Sequence, residues 1–219
     1  MKVGTDGVLL GAWANVQDAA RILDVGTGTG LIAIMMAQRT EAFIDAVEID
    51  AEACSQALEN VATCPWKERI KIHHDTFRNF ADNTTILYDR VVSNPPYFRK
   101  SLKSPVKPRS LARHNENLNY ESLLFYTARI LKPEGRLAVI VPSDAYTHLA
   151  NLAYLHGLFP LRLTRVRPKP EKDPSRCLVE FSRHRDQPCV THELMIKGEE
   201  GYEFTGMYQS LTREYYLNF

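Results

Sequence analysis

The sequence has 219 residues, of which 44% are hydrophobic and 24% charged, and its formal net charge is +1. This length and composition fit one globular domain and exclude a strongly acidic or basic chain. No apolar run reaches membrane-spanning length, no signal peptide opens the chain, and its four cysteines show no paired spacing, so we expect a reduced, cytoplasmic, metal-free protein.

The first half of the chain alternates strands with helices. Residues 1–13 lead from a polar turn at Thr5 and Asp6, flanked by glycines, into a short apolar helix; a helix cap would explain either polar residue equally well. The following elements are predicted strands at 21–25, 42–49, 69–74 and 88–93, with helices at 31–39 and 51–61.

The second half adds further strands and a closing helix. The predicted elements are helices at 120–131, 144–156 and 206–217, a strand at 136–141, an antiparallel pair at 161–166 and 177–182, and a strand at 190–196. Together they predict one α/β domain with a mainly parallel sheet. We divide it into an N-terminal cap segment (1–18), a core (19–183) and a C-terminal extension of a strand and a helix (184–219).

A glycine-rich turn follows the first strand and opens the next helix. Asp24 ends the strand, and Gly26, Gly28 and Gly30 follow it in a G-x-G-x-G spacing. Glycines at these positions let a ligand approach the backbone closely, so the pattern predicts a nucleotide-like ligand. The spacing differs from the G-x-G-x-x-G of NAD-binding proteins, and a tight turn without a ligand is the alternative.

Acidic residues follow the next two strands. Glu48 lies about twenty residues after the glycines, where an acid accepts hydrogen bonds from ribose hydroxyls in this architecture. Asp50 competes for this role but also fits the N-cap of helix 51–61. Asp75 is again a polar residue at the end of a strand.

The fourth strand runs into the residues Asn94, Pro95, Pro96 and Tyr97. The prolines fix φ and remove two backbone donors, so the Asn94 amide oxygen and the Pro95 carbonyl could accept hydrogen bonds from one external group. Tyr97 offers a ring for stacking. This arrangement suits a planar NH2 group, such as that of adenine or a side-chain amide; the alternative is an ordinary Pro-Pro turn.

Basic residues cluster in two places. The first cluster lies in a long loop at 98–118 that lacks apolar periodicity, and it comprises Lys100, Lys103, Lys107, Arg109 and Arg113. The second cluster follows residue 161 and comprises Arg162, Arg165, Arg167, Lys169 and Lys172. Such clusters favour phosphate contacts with RNA, although a solvated basic surface is the alternative.

The glycine turn and residues 94–97 resemble the motifs of class I S-adenosylmethionine-dependent methyltransferases that act on amino groups. Residues 2–13, 46–48 and 211–217 are similar to the YfiC-like bacterial family of tRNA(Val) adenine-N6 methyltransferases. The resemblance implies a Rossmann-like fold with a seven-stranded sheet, S-adenosylmethionine as cofactor, and a tRNA whose adenine beside the anticodon is methylated. Family members carry a basic and aromatic segment before residue 2; without it we expect weaker RNA binding.

The resemblance also implies roles for individual residues. The cofactor would be held at its ribose by Glu48, at its adenine amine by Asp75, and at its methionine end by Asp24, Gly26, Gly28, Gly30 and Asn94, with Thr5 and Asp6 closing over it. Asn94, Pro95 and Tyr97 would hold the target adenine, and Lys100, Lys103, Lys107 and Arg113 the RNA. We expect a monomer without metal or membrane contact.

Three other functions remain open at this point. A glutamine methyltransferase of the release-factor type would use the same motifs on a polypeptide. A non-catalytic RNA-binding module would not need a complete cofactor turn beside residues 94–97. An NAD-dependent oxidoreductase is disfavoured by the glycine spacing and by the lack of an obvious acid or base at a hydride site.

Overall fold

The structure is a computed structural model that describes residues 4–96, 118–198 and 203–216. The helices are α1 (Thr5–Trp13), α2 (Leu31–Arg39), α3 (Ala51–Thr63), α4 (Phe77–Asn83), α5 (Tyr120–Ile130), α6 (Tyr146–Leu155) and α7 (Gly206–Thr212). The strands are β1 (Arg21–Val25), β2 (Phe43–Glu48), β3 (Ile70–His74), β4 (Tyr88–Ser93), β5 (Leu131–Pro142), β6 (Phe159–Arg167), β7 (Arg176–Ser182) and β8 (Val190–Met195).

The eight strands of the described residues form one sheet in the order β3-β2-β1-β4-β5-β7-β6-β8. The first five strands of this order pair in parallel, β7 is antiparallel to β5 and β6, and β8 is parallel to β6. The predicted α/β fold with a C-terminal antiparallel hairpin is confirmed. The sheet has eight strands rather than seven because the strand of the C-terminal extension joins it beside β6.

Several predicted elements have different ends in the structure. β5 begins at Leu131, five residues before the predicted strand, because Leu131 pairs with Tyr88 ahead of an irregularity in the register. The predicted closing helix ends at Thr212 and continues as a 3-10 turn, Arg213–Tyr215. Sequence reasoning missed α4, although its N-cap Thr76 is a recognisable start signal.

The sheet separates two apolar layers because successive side chains of a strand point to opposite faces. On one face, Ile22 and Val92 lie in a buried cluster with residues of α1 and α2. On the other face, Leu23 and Val91 lie in a cluster with residues of α5 and α6. Both faces are therefore covered, which explains the nearly continuous apolar runs of the central strands.

Helices α1 and α2 pack side by side through two glycines. A methyl group on Gly7 would lie 3.2 Å from Leu31 Cδ2, and one on Gly11 would lie 2.5 Å from Met35 Sδ. Both pairs advance by four residues in the same direction, so the two helices run parallel and both begin at the carboxyl edge of the sheet. The absence of side chains at these glycines permits this close approach.

The end of the chain covers the outer side of α1. Leu211, Tyr215 and Tyr216 pack against a cluster that contains Val8 and Ala12. Two of the segments that carry the family resemblance, 2–13 and 211–217, therefore contact each other through their described residues. The contact joins the two ends of the sequence.

Three arginines bind the carboxyl end of α1. They come from different elements and donate to backbone carbonyls: Arg39 Nη1 to Gly11 O at 2.5 Å, Arg162 Nη2 to Trp13 O at 3.0 Å, and Arg90 Nε to Asn15 O at 2.7 Å. Cations at this end also complement the helix dipole. Burial lowers the pKa of each of these guanidinium groups from its ordinary value.

Candidate active site

The carboxyl ends of four neighbouring strands meet at one edge of the sheet. Val25 of β1 lies opposite Val47 of β2 and Ser93 of β4, and Glu48 lies opposite His74 of β3. The residues that follow these strands were predicted to be functional, and they are brought together here. The chain order reverses between β1 and β4, the position at which ligands bind in open α/β sheets.

The glycine turn has a left-handed backbone at its three glycines. Gly26, Gly28 and Gly30 have φ values of 72°, 59° and 84°, in the left-handed region that favours glycine. The N–H groups of Gly26 and Thr27 donate to Val47 O at 2.9 and 3.1 Å, which ties the turn to β2. A Cβ atom on Gly28 would meet no atom within 4 Å among the described residues, so the space beside Gly28 is open.

Asp24 is fully buried beneath this turn. Its Oδ2 accepts hydrogen bonds from Thr27 Oγ1 at 2.6 Å and from Ala33 N at 3.1 Å. Its Oδ1, which is also buried, has no hydrogen-bond partner among the described residues. Burial, assisted by the negative charge of Glu48, raises the pKa of Asp24 to about 7. This carboxyl group therefore has a buried acceptor available for a ligand.

Glu48 joins the glycine turn to the start of α3. Its Oε2 accepts from Gly28 N at 2.8 Å and its Oε1 from Asp50 N at 2.9 Å. Asp50 itself accepts from Ala53 N at 2.8 Å as the N-cap of α3. Of the two acids considered for the ribose, Asp50 therefore caps the helix, while Glu48 lies beside the glycines.

Asp75 follows β3 and is half-buried at the same edge. Its backbone N–H donates to Glu48 O at 3.0 Å, which places the two acids side by side. Its Oδ1 accepts from Thr76 N and its Oδ2 from Asn79 Nδ2, both at 2.7 Å. The start of α4 thus orients this carboxylate, and each oxygen keeps a further lone pair for a ligand donor.

The end of β4 is fixed by Ser93, whose buried hydroxyl donates to Val25 O at 2.8 Å. Asn94 follows and is half-buried, Pro95 is buried and Pro96 is exposed. The predicted residues Tyr97, Lys100, Lys103, Lys107 and Arg113 lie outside the described residues. The described residues resume at Leu118. A Cβ atom added to Gly26 would lie 3.5 Å from Leu118 Cδ2. Sequence reasoning missed this contact because Leu118 carries no functional motif.

Thr5 and Asp6 lie in the first turn of α1, so the predicted polar turn before the helix is wrong. Gly4 is the N-cap, and no side chain caps the helix. Asp6 Oδ2 instead accepts from Arg176 Nε at 2.9 Å, across 170 positions of the chain. Because this partner comes from β7, no local sequence signal could have revealed it.

The second basic cluster divides into structural and exposed residues. Arg162 and Arg136 donate to the buried Glu180 at 3.2 and 2.9 Å, and Arg167 donates to Glu193 at 2.7 Å. Arg165, Lys169 and Lys172 are exposed. Arg162 and Arg167 therefore bind carboxylates of the protein, which weakens the interpretation of this cluster as an RNA surface.

Comparison with known proteins identifies the family. The family model described as "Methyltransferase small domain" matches residues 4–155. A protein of Phocaeicola vulgatus named tRNA1(Val) (adenine(37)-N6)-methyltransferase is 47% identical over 218 residues, covering 100% of this chain and 92% of that protein. A protein with the same name from Bacteroides fragilis (strain YCH46) is 46% identical, and the match covers 99% of this chain and 91% of that protein. The protein of this name from Salmonella arizonae is 41% identical, and the match covers 99% of this chain and 89% of that protein.

The chain belongs to this methyltransferase family.

A solved structure has the same fold as this family member. It is described as a predicted O-methyltransferase from Agrobacterium tumefaciens, with a TM-score of 0.76 and 20% identity, and the match covers 95% of this chain and 96% of that one. Class I methyltransferases use S-adenosylmethionine as methyl donor. Within the described ranges, no group of three or more His, Cys, Asp or Glu side chains is placed to hold a metal ion, and no helix could span a membrane.

Proposed function

We propose that this protein transfers a methyl group from S-adenosylmethionine to the exocyclic amine of adenine 37 in a valine tRNA, the reaction named for its relatives. One observation carries the proposal: β1 and β4 are neighbours at the reversal of strand order, with Val25 opposite Ser93, so the glycine turn with its open space at Gly28 and the residues Asn94 and Pro95 leave the sheet from adjacent strands. A donor of methyl groups and an acceptor amine could therefore be held next to each other.

The residues at this edge fit S-adenosylmethionine. Asp24 has a buried oxygen without a partner among the described residues, which would face the positively charged methionine end together with Thr5 and Asp6 of α1. Glu48 would bind the ribose hydroxyls and Asp75 the adenine amine, each through the remaining lone pairs of its carboxylate. When bound, S-adenosylmethionine supplies an electrophilic methyl group on its sulfonium.

Asn94 and Pro95 would hold the target amine. The lone pair of this nitrogen is delocalised into the adenine ring, so the amine is a poor nucleophile. The Asn94 side-chain oxygen and the Pro95 carbonyl would accept its two N–H bonds and favour the increasingly positive nitrogen during methyl transfer. Tyr97 would stack on the base after it leaves the tRNA loop, which is worth about 1–3 kcal/mol in single-strand recognition.

Lys100, Lys103, Lys107 and Arg113 would contact tRNA phosphates, because they follow the acceptor residues directly in the chain. Replacing the three lysines by alanine should raise the KM for tRNA and reduce its salt dependence, while the affinity for the cofactor stays unchanged. If the KM for tRNA depends on salt concentration equally in the parent and the triple variant, this role is contradicted. We further propose that the protein works as a cytoplasmic monomer without a metal.

The deciding experiment incubates the protein with labelled S-adenosylmethionine and total tRNA, followed by nucleoside analysis. We expect label in N6-methyladenosine, and we expect it to be lost when the valine tRNA is depleted from the pool. An Asn94→Ala variant that binds the cofactor serves as the negative control. Transfer to a protein glutamine instead would favour the release-factor type of reaction, and cofactor binding without any transfer would favour a binding module.

A further inference from the structure

The two ends of α1 are held by different kinds of contact. At its carboxyl end, arginines bind backbone carbonyls in partly buried contacts, away from the strand ends of the candidate active site. At its amino end, Arg176 and Asp6 form an ion pair at 2.9 Å in which the side chains remain 31% and 22% exposed. The contacts to carbonyls stabilise the fold, whereas the ion pair joins α1 to the edge where the ligand residues meet.

Arg176 stands at that edge because of its register in the sheet. It is the first residue of β7 and lies opposite Pro142, the last residue of β5. Val139 of β5 lies opposite Ser93, so Pro142 and Arg176 are level with the residues that follow Ser93 along the chain. The backbone of Arg176 therefore lies two strands away from β4, at the height of Pro96, two residues beyond Asn94.

The partner of Arg176 lies in a helical turn that packs against the first residue of α2, which directly follows the glycine turn. Asp6 is next to Gly7, and a methyl group on Gly7 would lie 3.2 Å from Leu31. Leu31 directly follows Gly30, the last glycine of the turn. A change in the position of Asp6 would therefore reach Gly30, the last glycine of the turn, through Gly7 and Leu31.

We propose that Arg176 is a positioning residue that, through Asp6, holds the first turn of α1 against the start of α2, directly after the glycine turn. The inference rests on the proposed function, since the position of this turn matters for S-adenosylmethionine binding. Arg176 acts through Asp6 and does not need to touch the cofactor. Stability depends on it only weakly, because partly exposed ion pairs contribute little and the rest of α1 is buried.

The test is a double-variant cycle with Arg176→Gln, Asp6→Asn and the combined variant, and the affinity for S-adenosylmethionine is measured by calorimetry. We expect Arg176→Gln to bind about fivefold more weakly, which corresponds to the loss of one such pair, and Asp6→Asn to lose at least as much because Asp6 also faces the cofactor. The combined variant should be no weaker than Asp6→Asn alone, because Arg176 acts through Asp6. Arg176→Lys keeps the charge and should restore part of the affinity.

Arg167→Gln is the matched control. Arg167 also forms an ion pair at the edge of the sheet, with Glu193 at 2.7 Å. Its removal should lower the melting temperature as much as Arg176→Gln does, while cofactor affinity stays at the parental value. Parental affinity in Arg176→Gln would overturn the proposal, as would additive effects of Arg176→Gln and Asp6→Asn, which would indicate that Arg176 acts on the ligand directly.

Hydrogen exchange separates this inference from the proposed function. The Val8 amide donates to Gly4 O at 3.3 Å in the first turn of α1. Without cofactor, its exchange should be faster in Arg176→Gln than in Arg167→Gln, because the turn has lost its anchor. Equal exchange in both variants overturns the role of Arg176 even if the parent binds no cofactor, whereas absent cofactor binding by the parent refutes the proposed function alone.

Discussion

Gly28 donates its backbone N–H to Glu48 Oε2 at 2.8 Å, so the middle of the glycine turn is bound to the acid at the end of β2. The side of Gly28 where a Cβ atom would project meets no described atom within 4 Å. The turn is therefore held from one side and open on the other. The open side is where the proposed function requires a ligand.

Gly28→Ala should weaken S-adenosylmethionine binding about tenfold or more, because the methyl group enters the space that the ligand needs. Gly28→Val should abolish binding. Gly157→Ala is a matched control, since Gly157 has φ 68° against 59° for Gly28 and its Cβ would also meet no described atom within 4 Å. Both alanine variants should lose about 1–2 kcal/mol of stability from the left-handed backbone. Calorimetric affinities that fall equally in both would contradict the assignment.

Asn94→Ala should lower kcat by about 10²–10³ because one preorganised acceptor is removed from the transition state. The affinity for S-adenosylmethionine should change far less, and single-turnover methylation of tRNA measures the effect. Near-parental methylation by a folded, cofactor-binding Asn94→Ala protein would end the proposed mechanism.

Asn94→Asp distinguishes two contributions of the same side chain. Aspartate keeps an acceptor oxygen, but it adds a negative charge and lacks the NH2 donor that orients the amide. If acceptance alone matters, Asn94→Asp should retain more activity than Asn94→Ala. If orientation dominates, the kcat values of the two variants should be similarly low.

Cofactor affinity should fall as the pH drops below about 7, because burial raises the pKa of Asp24 to about 7. The ionised carboxylate favours the positively charged methionine end, so protonation competes with binding. If uptake of one proton by Asp24 prevents binding, the affinity should be about tenfold weaker at pH 6 than at pH 8. Asp24→Asn should bind weakly at both pH values, and calorimetry over this range checks the difference. A pH-independent affinity of the parent would contradict the role of this charge.

The same group makes a prediction for stability without ligand. The pKa of Asp24 is higher in the folded than in the unfolded chain, so the folded state binds more protons between about pH 4 and 7. The contribution of Asp24 to the unfolding free energy therefore decreases as the pH rises through this window, by up to about 1.4 kcal/mol per pH unit. Asp24→Asn should remove this slope in denaturant titrations.

Gly135→Ala should destabilise the fold by about 1–3 kcal/mol through overpacking. Gly135 lies in the irregular part of β5, where a Cβ atom would come within 2.7 Å of Leu131 Cγ and 2.9 Å of Tyr88 O. Gly206→Ala is the control, since no described atom lies within 4 Å of its Cβ position. Urea titrations should show a lower midpoint only for Gly135→Ala. Equal midpoints would mean that β5 can shift at this point.

Local sequence patterns were sufficient for most of the fold. The apolar run 88–93 and the glycines of 26–30 specify a strand and a turn through short-range sterics, and both elements occur as predicted. The start of β5 was wrong because Leu131 joins the sheet through a partner, Tyr88, that is 43 positions away. Helix and strand ends depend on such tertiary partners more than on local propensity.

The sequence by itself determined which residues meet at the candidate site, because Asp24 and Glu48 stand at the ends of apolar strands, Asn94 follows a third, and parallel strands end at one edge. Only the tertiary structure decided which charged residues form ion pairs within the protein. Arg162 and Arg167 belong to a basic run in the sequence, but the fold brings Glu180 and Glu193 to them. Likewise, Asp6 receives Arg176 from across the chain. Ion pairs depend on distance in space, which a linear pattern of charges does not contain.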